Sequence, residues 1–370
     1  MANIMRILHV LGGMGRGGAE TMVMNLYRNI DRTKIQFDFI VHTEKKCDYD
    51  DEIKSLGGKI HRVPRYTGKN HFQYRKAWHN FFIKHPEYKL IHGHVRSTAS
   101  IYIKVAKKYG LNTIAHSHNT SSGNGFSAVA KNILQYPIRY NADYLFSCSE
   151  FAGEWLFGKR ACKKDNYFIL NNAIDIKKFS YDKDIRLKKK KEFQLQNKFV
   201  IGHVGRFHTQ KNHEFLIDIF KAVYVKNDNA VLMLVGDGEL RHSIEKKVND
   251  LGLNDSVVFT GVRSDIPDLL QLMDVFVFPS LHEGLPVTLV EAQAAGLPCL
   301  ISDCITNEVR VTDLVTYLPI DLDERWAEEI VRYSENVQRK DTYQEVDKAQ
   351  YNIETTSKWL QEFYFKANKV

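Results

Sequence analysis

The sequence predicts an α/β protein made of two doubly wound parallel-sheet domains in tandem. Three observations carry that prediction. The chain has 370 residues, more than a single hydrophobic core usually serves. Short apolar runs alternate with longer amphipathic stretches along nearly its whole length, which is the pattern of strand–helix–strand units. The alternation breaks once, over 177–198, in a charged stretch that includes Lys188, Lys189, Lys190 and Lys191.

The elements follow in order. Before the break, 6–11, 37–42, 90–92, 113–116, 144–148 and 167–170 read as strands, with helices between them such as 19–29 and 99–109. After it, strands are expected at 200–204, 231–235, 257–260, 275–278 and 299–301. The tail 343–366 reads as one or two helices, with Trp359, Phe363 and Tyr364 on an apolar stripe. The expected domains are therefore 1–180, a basic linker with a short helix at 181–198, 199–342, and a terminal helical segment at 343–370. In such sheets ligands bind beyond the carboxyl ends of the strands, so a cleft between the two domains is the expected site.

Composition excludes several classes. At 44% hydrophobic and 26% charged, the chain is ordinary for a globular protein. No apolar run reaches the roughly 18 residues of a membrane span. The start, MANIMRILHVLGG, lacks a signal-peptide cleavage site, so a cytoplasmic location is expected. Five scattered cysteines form no zinc set and read as reduced thiols. Charge is uneven: residues 1–198 hold 35 Lys and Arg against 17 Asp and Glu, and the remainder hold 17 against 27. A basic first half suits a phosphate-bearing acceptor or the anionic inner face of a membrane, with peripheral attachment. No nucleic-acid-reading motif accompanies it.

The chemistry concentrates in PSLHEGLPVTLVEAQAAGLP. A strand end leads into a loop holding His282, Glu283, Gly284 and Leu285, and Pro286 and Val287 open a helix that Gly296 and Pro298 close. Free N–H groups from Pro286 to Leu289 would form an anion site suited to a diphosphate. Glu283 before the helix and Glu291 one turn inside it can each accept hydrogen bonds from sugar or ribose hydroxyls. Upstream, GHVGRFHTQKNH places Arg206 and Lys211 after another strand end, a fork and a point charge for phosphate oxygens. VGDGEL adds a strand-to-glycine turn at Gly236.

Together these motifs resemble the retaining glycosyltransferases of family 4, also called group 1, which have the GT-B fold. The resemblance spans nearly the whole chain. It implies two Rossmann-like domains and a nucleotide-diphosphate sugar donor, expected to be UDP-linked. It implies that Arg206 and Lys211 hold the diphosphate, Glu291 the ribose and Glu283 the donor sugar, with Gly236, Gly284, Leu285, Pro286 and Val287 lining the donor. It also implies a last helix that returns to the first domain. In the N-terminal half, LGGMGRGGAE matches the loop that approaches the donor phosphates, at Gly17. In TIAHSHNTS, His118 matches the family's active-site histidine. His94, His116 and Asn172 are candidates for the acceptor or the cleft. NNAID departs from the family's Pro-Asn-Gly-Val-Asp stretch at Asn171 and Ala173, so a left-handed turn at Ala173 would be strained.

The implied catalytic set is His118, Glu283, Arg206 and Lys211, acting with retention and without a metal. Three Asp-x-Asp matches, at Asp48/Asp50, Asp182/Asp184 and Asp321/Asp323, end no apolar strand. The expected product belongs to bacterial exopolysaccharide or capsule assembly, the acceptor being a glycan or lipid-linked diphosphate glycan. Rival readings are a sugar-nucleotide epimerase or phosphorylase on the same fold, a non-catalytic sugar-nucleotide-binding partner, and an NAD-dependent oxidoreductase. For the last, Gly13-x-Gly15-x-x-Gly18 is a dinucleotide fingerprint, with Glu44 as the only acidic candidate.

Overall fold

The structure is a computed structural model that describes residues 4–119, 126–335 and 338–368. The chain forms two compact units, residues 1–174 with 352–370, and residues 175–351.

The first unit carries a seven-stranded parallel sheet of β1 (Met5–Leu11), β2 (Ile35–Val41), β3 (Ile60–Arg62), β4 (Leu90–Gly93), β5 (Asn112–Ser117), β6 (Tyr144–Ser147) and β7 (Tyr167–Ile169). Its order is β3-β2-β1-β4-β5-β6-β7. The second unit carries β8 (Phe199–Val204), β9 (Ala230–Val235), β10 (Val257–Gly261), β11 (Val275–Phe278), β12 (Cys299–Ser302) and β13 (Val315–Leu318), in the order β10-β9-β8-β11-β12-β13. Both are doubly wound, as expected. Strand order reverses between β1 and β4 in one unit and between β8 and β11 in the other, and such switch points are where ligands bind. The glycine-rich loop at Gly17, the segments of His94 and His118, and those of Arg206–Lys211 and Glu283–Glu291 leave these four strands or their neighbour β5, while Gly236 follows β9 and Asn172 follows β7.

Two strands are additional to the expected set. β3 has three residues and β13 four, and each is a sheet edge. The central strands are apolar because helices cover both faces. Buried histidines and Gln36 interrupt them, and Asp38, in the middle of fully buried β2, places a carboxylate there. It accepts from Arg6 Nε at 2.5 Å, Tyr88 Oη at 2.8 Å and the Lys59 N–H at 2.7 Å, so its charge is paired on every side.

The charged stretch 181–198 is not a solvated linker. Its helix, Lys183–Glu192, packs within the second unit. Lys189 and Lys190 are buried there: Lys189 meets Asp265 at 2.8 Å, and Lys190 meets Asp274 at 3.1 Å. Arg186 also meets Asp274, at 2.5 Å. Those acids follow in sequence by about eighty residues, and a local pattern cannot announce such partners.

The tail forms two helices in different units. Tyr343–Lys348 stays with the second. Ile353–Ala367 lies on the first sheet, where Tyr364 is fully buried and the Asn112 side chain donates to the Ala367 carbonyl. Among the described residues no helix is long and apolar enough to cross a membrane.

Candidate active site

In the second unit, β8 ends at Val204 and the chain turns through Gly205, Arg206 and Phe207 into a short 3₁₀ turn, Thr209–Lys211. Asn212 then takes a left-handed conformation, φ 56°, and starts the helix His213–Lys226. Asparagine tolerates that conformation, and its side-chain amide donates to the Pro279 carbonyl at 3.2 Å. This ties the β8 loop to the β11 loop and sets Lys211 beside Glu283. Lys211 Nζ lies 2.7 Å from Glu283 Oε1 and 4.3 Å from the Phe278 ring centroid. Both partners are largely buried, with side-chain exposures of 17% and 9%. Arg206 reaches outward to an exposed pair with Glu239 at 3.0 Å. A surface pair of that kind is worth little, so Arg206 is cheaply redirected.

The glycine turn after β9 has a packing reason. Gly236 has φ 139°, and a Cβ there would lie 2.1 Å from the Gly205 carbonyl oxygen. Only glycine lets the two loops touch. Gly284 differs: a Cβ on it would meet nothing within 4 Å, so the chain itself does not require glycine there.

The helix after β11 runs Val287–Ala294, with Pro286 as its cap. This corrects the expected anion site of Pro286 to Leu289. Proline has no N–H, and the Leu289 N–H is already bonded to the Pro286 carbonyl at 3.0 Å. The N–H groups of Val287 and Thr288 remain unbonded among the described residues, at the positive end of the helix. Gly296, φ 67°, follows the helix as expected. Glu291 lies in the second turn. Burial pushes its carboxyl up to about 7, and no hydrogen bond to it is found among the described residues.

In the first unit, Gly17 caps the helix Gly18–Asn29 at the end of the loop after β1. Glu44 lies beyond β2, exposed and paired with Arg62 at 3.4 Å, so the dinucleotide fingerprint has no acid at its strand end. His94 follows β4, His116 lies in β5 and His118 follows it. The structure brings these three together, and His116 is buried, with 2% exposure. It also adds His9 and His92, which carry no motif signal. Their one signal is periodic. His92-x-His94 and His116-x-His118 put alternate residues on one sheet face, and His9 pairs with His92 in register. Thr120 and Ser121 of the segment 113–121 lie outside the described residues.

Asn172 Oδ1 is buried and unpartnered among the described residues. Ala173 does not adopt a positive φ, so the two departures in NNAID bring no strain. The five cysteines are free thiols.

Comparison with known proteins meets this geometry. A family model described as Glycosyltransferase Family 4 matches residues 16–178, and one described as Glycosyl transferases group 1 matches 198–336. The EpsF glycosyltransferase of Bacillus subtilis is 39% identical over 337 residues, covering 88% of this chain and 87% of that protein. CapH of Staphylococcus aureus, a capsular polysaccharide biosynthesis glycosyltransferase, is 24% identical over 98% of this chain and 99% of its own. An Escherichia coli relative is 28% identical over 65% of each chain, and is named for galactosyl transfer from UDP-Gal to α-D-GlcNAc-diphosphoundecaprenol. Anabaena HepE, solved in complex with UDP, superposes with a TM-score of 0.81 at 18% identity, over 98% of this chain and 100% of that one, which speaks for the fold. On the matched family models and the near-full-length identity to EpsF, the chain belongs to the group 1, family 4 glycosyltransferases and is an enzyme of the GT-B fold.

Proposed function

We propose that the enzyme moves a hexose or N-acetylhexosamine, with retention, from a UDP-sugar to a glycan or lipid-linked diphosphate glycan in bacterial cell-surface polysaccharide synthesis. The observation that carries the donor half is the β8–β11 switch point. There a paired lysine and carboxylate, two free helix N–H groups and a desolvated carboxylate lie on adjoining segments. Lys211, Arg206 and the N–H groups of Val287 and Thr288 stabilise the charge that builds on the diphosphate as the glycosidic bond breaks. Glu283 accepts from the donor sugar, and Glu291 from the ribose hydroxyls. In a front-face route, the leaving diphosphate oxygen takes the proton of the acceptor hydroxyl, and that hydroxyl oxygen forms the new bond. No metal is required, since the protein supplies the countercharge. The UDP found in HepE and named for the E. coli relative supports the nucleotide.

The acceptor half rests on the first unit. Val129 and Ile133 are exposed one turn apart on the helix Phe126–Gln135, Tyr136 is exposed in the turn after it, and Tyr140 is exposed on Ile138–Asn141 with its ring 6.0 Å from that of Tyr136. Arg139 stacks 4.4 Å over the Tyr136 ring. An apolar stripe with tyrosines and nearby cations suits the interface of an anionic membrane, where a lipid-linked acceptor is held. Peripheral attachment at the cytoplasmic face follows from that reading.

A panel of nucleotide sugars read by released nucleotide tests the donor half. Turnover with UDP-sugars is expected, falling about a hundredfold or more in Lys211→Ala and Glu291→Ala. Full turnover in both variants would remove the site assignment. An epimerase would instead convert the donor without transferring its sugar to an acceptor.

A further inference from the structure

The histidines at the carboxyl edge of the first sheet form two hydrogen-bonded rows. In one, the Tyr364 hydroxyl lies 2.7 Å from His92 Nδ1, and His92 Nε2 lies 3.1 Å from His116 Nδ1. In the other, His9 Nδ1 lies 3.0 Å from His94 Nε2, and His94 Nδ1 lies 2.8 Å from His118 Nε2. The rows stack on each other. His92 lies on His94 with centroids 4.5 Å apart, and His116 lies on His118 at 4.0 Å.

Two triads of this cluster, His9/His92/His94 and His94/His116/His118, have ligand atoms within 4.8 Å of one another, which invites a metal reading. The bonded pairs argue against it. Their ring centroids are 5.2, 5.3 and 5.0 Å apart, so the bonded nitrogens point nearly at each other. An ion between two such in-line nitrogens would need them roughly 4 Å apart, at about 2 Å per bond. At 2.8 to 3.1 Å they share protons instead.

Counting those protons leaves two arrangements of the row. Burial holds His94 well below its ordinary pKa and pushes His9 and His118 down to about 3. Around the row, Asp38 favours charge on His9, and Arg96 opposes it on His118. All three imidazoles are therefore neutral and carry three N–H protons in total. Two lie in the hydrogen bonds. The third must occupy a free end, either His9 Nε2 or His118 Nδ1. Both atoms are buried and unpartnered among the described residues. His9 Nε2 lies in the interior beside Phe37 and Phe39, and its residue is 1% exposed. An orphaned N–H is rarer in a protein interior than an orphaned acceptor. His118 is the less buried of the two and follows the carboxyl end of β5, where a ligand can accept from it, so the third proton is assigned to His118.

We propose that His9 and His94 are positioning residues that hold His118 as the neutral Nδ1–H tautomer, a hydrogen-bond donor to a hydroxyl or ring oxygen of the donor sugar. This rests on the reading that His118 adjoins that sugar. A neutral donor can steady a sugar oxygen without acting as a base, which suits a route in which the diphosphate takes the acceptor proton.

Histidine-selective ¹⁵N labelling of the full-length protein without donor reads the tautomer, with His118→Gln assigning the signal. A protonated Nδ1 on His118 is expected. In His94→Gln, the amide N–H can still donate to His118 Nε2 and keep that tautomer. In His94→Leu it cannot. His94→Leu is expected to mix the tautomers and lower kcat about tenfold or more with UDP affinity unchanged, and His94→Gln to recover most of the loss. An Nε2–H signal in the unmutated protein overturns the proposal. So does equal kcat in the two variants, or one equivalent of bound Zn2+ that His94→Leu abolishes. The spectrum is read without turnover, so a wrong tautomer overturns the histidine row even in an active enzyme. Failure to turn over any nucleotide sugar overturns the functional reading instead.

Discussion

Glu291 is half-buried on its helix, and desolvation pushes its carboxyl up to about 7 from near 4.5. In the proposed role ribose hydroxyls donate to the ionised form, so UDP affinity should fall as pH drops from 8 to 6, by up to about tenfold at one unit below the pKa. Titration calorimetry across that range checks it, and Glu291→Gln should bind more weakly with a flat profile. Stability runs the other way. Between 4.5 and 7 the folded state holds the proton more tightly than the unfolded chain, so the second unit loses stability as pH rises through that window. Glu291→Gln should remove that slope and melt no lower than the parent at pH 8. The place of Glu291 inside a helix was legible because proline, glycine and helix signals surround it. His9 and His92 were not, since each is a lone histidine until strand register brings them into one row.

Elements with strong local punctuation were legible, and those defined by distant partners were not. The helix Val287–Ala294 has a proline before it and a glycine after it, so its bounds follow from sequence. The three- and four-residue edge strands β3 and β13 are too short to show alternation. The short helix expected within 181–198 is present as Lys183–Glu192, but its packing into the second unit was not legible, because its lysines resemble a solvated run. Its order comes from Asp274, which is 4% exposed and accepts from Arg186, Lys190 and the Val200 N–H. Asp274→Ala strands two cations and should destabilise the second unit by about 3–5 kcal/mol in urea unfolding, with the first unit unaffected. For the stripe on Phe126–Gln135, Val129→Ser with Ile133→Ser should weaken binding to vesicles containing phosphatidylglycerol by about tenfold, while UDP binding holds. Unchanged flotation would remove the membrane contact from that face.

Across the whole molecule, two doubly wound sheets were legible from the alternation of runs, whereas the point of division was not. The chain crosses between units at 174/175 and 351/352, so 175–198 moves its charge into the second. The first unit then holds 29 Lys and Arg against 15 Asp and Glu, and the second 23 against 29, which keeps the basic surplus on the unit that carries the stripe. That charge division agrees with the proposed function, in which the second unit holds the donor diphosphate and the first meets the anionic acceptor or surface. The most direct measurement is UDP release with and without a lipid-linked diphosphate sugar, the product's anomeric configuration being read by NMR. The account predicts acceptor-dependent release and a product with the donor's configuration. Inversion at the anomeric carbon, or release unaffected by acceptor, would contradict it.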